Sequence, residues 1–99
     1  MEAVNYLMSA YFHQDWDADG GGVSDTVASF LTERRDLVSA CADEIDELLR
    51  QDLPEGALAA QLDEWGCAYY AGDTDQDYRV WLGDIRQQIR AALTSSAAS

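Results

Sequence analysis

The sequence has no lysine, one proline, two cysteines and a single histidine. Each scarcity closes off a class of function. Six arginines oppose nineteen carboxylates, giving a formal net charge of −13. Such a surface repels phosphate, which argues against nucleic acid or an anionic membrane as a partner. Cys41 and Cys67 form no CxxC pair and have too few His or Cys companions for a zinc site. Cys41 falls instead on an apolar helical stripe, as a buried thiol would. No stretch approaches the roughly 18 apolar residues of a membrane span. The opening MEAVNYLMSAYF also lacks the basic region of a signal peptide, so the chain reads as cytoplasmic. No serine, cysteine or second base is tied to His13 by spacing, and the glycines at 20–22 follow aspartates that would repel a phosphate. Neither catalysis nor a cofactor is expected.

What is present is a helical pattern. A hydrophobic content of 47% over 99 residues supports one folded domain with a single core. Val4, Leu7, Met8 and Tyr11 share one helical face and predict a first helix over residues 3–12. Ser24 is placed to cap a second helix, with Val27, Phe30 and Leu31 inward and an end near Arg34. Leu37, Val38, Cys41, Ile45, Leu48 and Leu49 trace the stripe of a third helix from Asp36 to Gln51. Asp52-Leu-Pro-Glu55 has the form of a helix start, followed by Leu58, Leu62 and Trp65 and stopped by Gly66. Asp75 or Asp77 can cap a last helix whose face is Tyr78, Trp81, Leu82, Ile85, Ile89 and Leu93, and residues 95–99 are expected to fray. The expected fold is all-α: a single compact domain of about five amphipathic helices over residues 1–94. The weakest point of that assignment is Tyr69-Tyr70.

Tyr11 to Gly22, YFHQDWDADGGG, is the least ordinary stretch and supports two readings. Asp15, Asp17, Asp19 and Gly20 match the first half of an EF-hand calcium loop, but position twelve is Thr26 where a bidentate glutamate is needed. Asp73, Asp75 and Asp77 repeat the spacing and Asp84 falls at position twelve, yet Tyr78 sits where the loop needs glycine. One alternative is therefore a calcium-responsive helical module using Asp15, Asp17 and Asp19, with millimolar affinity at best. The other reading is structural. The aspartates make turns and caps, Tyr11, Phe12 and Trp16 pack a corner, and His13 is hydrogen-bonded within it.

The charge favours a cationic partner. The outer face of the third helix carries Asp43, Glu44, Asp46 and Glu47; Asp46 can pair with Arg50, whereas Asp43 and Glu47 are like charges one turn apart, costing a few tenths of a kcal/mol. That face and the acidic turn before the last helix nominate Asp43, Asp46, Glu47, Asp73, Asp75 and Asp77 as partner-binding residues.

Tyr11-Phe12-His13-Gln14-Asp15-Trp16-Asp17, the glycine loop after it, the helix start from Ser24 to Leu31, and Trp81-Leu82 with Ile85 are similar to a known pattern. On these residues the chain resembles the helical immunity proteins of bacterial contact-dependent growth inhibition and related polymorphic toxin systems. The resemblance implies a non-catalytic protein that binds and neutralises a cognate toxin inside the producing cell. Many such toxins are nucleases, whose basic clefts an acidic surface would attract. It also implies that Tyr11, Phe12, His13, Asp15 and Trp16 hold the fold. An acidic adaptor for another basic protein is a third reading, which gene neighbourhood would separate from the first.

Overall fold

The computed structural model describes residues 1–14, 16 and 22–98, with side chains described as far as Thr94. Its elements are α1 (Glu2–Tyr6), which continues directly as a π-helical segment (Leu7–Tyr11), then α2 (Val23–Phe30), α3 (Arg35–Arg50), α4 (Ala57–Glu64) and α5 (Asp75–Ala98). Among the described residues there is no strand. The all-helical expectation of one compact domain holds.

The apolar stripes meet in one core. Val4, Leu7, Met8 and Phe12 pack with Val27 and Phe30, with Val38, Cys41, Ile45 and Leu48, with Leu58 and Leu62, and with Trp81, Leu82, Ile85 and Ile89. Each fully buried Leu, Ile or Phe contributes roughly 1.5–3 kcal/mol, so this cluster is the main driving force of folding. Burial also pushes the Cys41 thiol up to about 12, with the Glu44 charge adding to the effect. Neither Cys41 nor Cys67 is in a disulfide.

α3 and α5 run antiparallel along each other. Arg79 reaches the carbonyls of Leu49 and Gln51, Arg86 reaches Asp46, Arg90 lies beside Asp43, and Arg35 reaches the Leu93 carbonyl. The two bonds from Arg79, 3.0 and 2.9 Å, satisfy carbonyls at the C-terminal end of α3 that have no partner within their own helix.

Several helix boundaries differ from the sequence reading. The first helix is not α throughout: the Phe12 amide donates to the Leu7 carbonyl, five residues back, at 3.2 Å as well as to Met8 at 3.1 Å. The wider turn places Phe12 in the core while Tyr11 turns its ring edge-on to Phe30, 5.5 Å away. Apolar spacing cannot distinguish this from an α turn. Ser24 does not cap α2. The N-cap is Gly22, whose amide donates to the Asp25 carboxylate at 3.2 Å, so Ser24 lies inside the first turn. The helix also ends at Phe30 rather than near Arg34.

Asp52 does not cap α4. Residues 51–56 form a bend and turn closed by the Ala57 amide on the Pro54 carbonyl, and α4 starts after Gly56, whose φ of +92° favours glycine. The carboxylate that caps α4 comes instead from Asp75. At its other end, α4 closes as expected on Gly66 at φ +94°, with Gly66 donating to the Asp63 carbonyl and Cys67 to Leu62, a Schellman motif. The cap of α5 is Thr74 rather than Asp75 or Asp77. Its hydroxyl accepts from the Asp77 amide, and the Asp77 carboxylate accepts from the Thr74 amide and hydroxyl. Gly72 lets the chain pass this carboxylate, since a Cβ there would lie 2.2 Å from it.

Candidate protein-binding surface

The aromatic half of the YFHQDWD string is built into the fold. Phe12 is buried and meets the Trp81 ring edge-on at 5.0 Å; Trp16 is half-buried, 5.8 Å from Phe12 and edge-on to Tyr69 at 5.3 Å. Tyr69 in turn stacks on Trp81 at 4.6 Å. The Ala68 amide donates to the Phe12 carbonyl at 2.7 Å, which ties the segment after α4 to the end of the first helix. Tyr11 and Tyr6 both donate to the Glu33 carboxylate. Burial and that bond push the Tyr11 phenol up to about 12, and the same two phenols hold the Glu33 carboxyl below its ordinary value. His13 is half-buried at this corner.

Asp15, Asp17 and Asp19, the alternative calcium ligands, lie outside the described residues. The second half-match does not form a loop, because α5 already begins at Asp75 and the three aspartates take separate roles. Among the described residues, no group of three or more His, Cys, Asp or Glu side chains could hold a metal ion. No helix there is long and apolar enough to cross a membrane.

The six nominated carboxylates divide sharply. Asp46 does not pair with Arg50. It lies in the α3–α5 seam, its side chain only 14% exposed, and accepts from Arg86 and Arg90. Those bonds, Arg86 first, hold its carboxyl below the ordinary carboxylate value. Asp75 is 7% exposed and faces inward, accepting from the amides of Gly56 at 2.9 Å, Leu58 at 3.1 Å and Ala59 at 3.3 Å. Asp43 and Glu47 are exposed on α3, and Asp73 and Asp77 are exposed beside the start of α5.

These exposed residues make two patches rather than one. Asp43 and Glu47 join Glu2 and Glu44 around a hollow at the N-terminus. There Glu44 accepts from the amides of Ala3 at 3.2 Å and Val4 at 3.0 Å, which caps α1 from across the fold. Asp73 lines a separate groove with Glu55, Ala59, Tyr70 and Tyr78. Asp43 sits beside Arg90, thirteen residues beyond Asp77 on α5, so the patches are roughly 20 Å apart along that helix.

Sequence reasoning missed Tyr70 and Glu55. Only the fold shows it: residues 67–71 alternate between half-buried and exposed, as an extended segment does, so neighbouring tyrosines face opposite ways. Tyr69 goes to the core and Tyr70 to solvent.

The family model described as CdiI immunity protein matches residues 1–89. The fold is also similar to a chain of the crystal structure of a CdiA-CT/CdiI complex from Y. kristensenii 33638. The TM-score is 0.77 at 29% sequence identity, covering 90% of this chain and 92% of that chain. No curated protein matches the sequence.

Proposed function

Since the chain belongs to the CdiI immunity protein family, whose members act without catalysis, we propose that it neutralises a cognate CdiA-CT toxin by stoichiometric binding through its exposed carboxylates. We infer further that the toxin is basic and of the nuclease type. The observation that carries this reading is how the charge is distributed. Arg79, Arg86 and Arg90 are engaged along the α3–α5 seam, and Arg35 reaches the Leu93 carbonyl. Glu47 and Asp73 remain on the surface with no ion pair among the described residues, Asp43 is exposed beside Arg90, and Asp46 and Asp75 serve the fold. Carboxylates so placed speed encounter with a basic cleft and can occupy positions that phosphates otherwise take.

Replacing Asp43→Asn together with Glu47→Gln tests the α3 patch. Association with its cognate CdiA-CT domain should slow and lose part of its salt dependence, while the thermal midpoint is unchanged or raised. Unchanged rates at low salt would place the contact elsewhere.

A further inference from the structure

Tyr70 is 57% exposed, one of the few large hydrophobic side chains among the described residues left in solvent. It borders a groove of about 320 Å³ with Glu55, Ala59, Asp73 and Tyr78. The groove is held before anything binds. One wall is the start of α4 and the other the start of α5, and the single carboxylate of Asp75, the first residue of α5, links them by accepting from the N-cap amide of Gly56 and the α4 amides of Leu58 and Ala59. The segment that carries Tyr70 is pinned on both sides. Ala68 is bonded to Phe12, and Gly72 packs directly against Asp77.

The electrostatics decide what fits. Two helix N-termini point here, each worth roughly half a positive charge, which alone would favour an anion. Asp75 and Asp77 already meet those amides and outweigh that charge. Glu55 and Asp73 are left exposed on the rim with no ion pair among the described residues, so the groove is net negative beside an aromatic face.

Resting on the immunity reading above, we propose that this groove seats an arginine side chain of the cognate toxin, its guanidinium flat on the Tyr70 ring and its N–H groups donating to Glu55 and Asp73. Arginine suits this better than lysine, because its planar fork can stack and reach two carboxylates at once.

The test is titration calorimetry and binding kinetics with the cognate CdiA-CT domain, using Tyr70→Ala, Tyr70→Phe and the pair Glu55→Gln with Asp73→Asn. Tyr70→Ala and the charge pair should each weaken binding by about tenfold, mainly through faster dissociation. Tyr70→Phe keeps the ring face and should bind within about threefold of the wild type. Thermal midpoints should stay close to wild type, since these side chains are exposed. Wild-type affinity in both Tyr70→Ala and the charge pair overturns the proposal. Loss in Tyr70→Ala alone also overturns it, pointing to an apolar occupant, and loss in the charge pair alone points to steering without a seat. If the wild-type protein itself fails to bind that toxin, the immunity reading falls and this proposal with it; a bound wild type with unaffected variants removes only the groove.

Discussion

Asp75 shows how much one side chain can carry in a small domain. It is the first residue of α5, it is nearly buried, and its carboxylate takes the amides that begin α4. Asparagine would keep the size but lose the charge, and would turn an N–H toward donors. We expect Asp75→Asn to cost about 2–3 kcal/mol, because buried amides lose a charge-assisted acceptor. For a domain of this length that lowers the thermal midpoint by roughly 10–20 °C. Chemical denaturation followed by circular dichroism measures it directly, and an unchanged midpoint would mean that water serves α4 equally well. The residue was visible in the sequence as a capping candidate, but for the wrong helix. Local spacing names the residues near a helix start; it cannot name a carboxylate arriving from nearly twenty positions away.

At the scale of elements, α3 and α5 are joined by a small cluster of charge as well as by their apolar faces. Asp46 accepts from Arg86 and Arg90, residues one turn apart on α5, and so fixes the register of the two helices. Its folded carboxyl titrates below its ordinary value of 3.8. A depressed folded value means that the stabilisation is complete above 3.8 and disappears as pH falls through the lower, folded value. Asp46→Asn should therefore cost about 1 kcal/mol at neutral pH, a modest figure because the arginines are solvated. The gap between wild type and variant, read from denaturant melts, should stay level down to about pH 5 and close in more acid solution. A constant gap at all pH values would assign the loss to packing. The helical stripe of α3 was plain from sequence, whereas the partner of Asp46 was not, because Arg50 at the local spacing competes on paper with arginines forty residues away. The π-helical turn was hidden for a related reason: spacing records which residues turn inward, not which carbonyl each amide meets.

At the scale of the whole molecule, the charge of −13 sits within a radius of gyration of 13.0 Å. Raising monovalent salt from about 0.01 to 0.1 M shortens the screening length from about 30 to about 10 Å, from well beyond that radius to within it. Self-repulsion should then fall and the thermal midpoint rise by a few degrees, while association with a basic toxin slows over the same range. The two effects have opposite signs and can be read on one preparation by calorimetry and stopped-flow mixing. A midpoint that fell with salt would show that cross-helix bridges such as Asp46 with Arg86 and Arg90 outweigh the global repulsion.

Helical class, core stripes, acidic character and the resemblance to immunity proteins could be read along the chain, because each is local or additive. Which acidic residues hold the fold and which stay exposed depends instead on how the helices pack. Along the chain Glu44 reads as a solvated charge, Asp46 as a partner for Arg50 and Asp75 as a cap for its own helix, yet each meets amides or arginines on another helix. Burial and long-range hydrogen bonding depend on which elements come together, and no spacing within one helix contains that information.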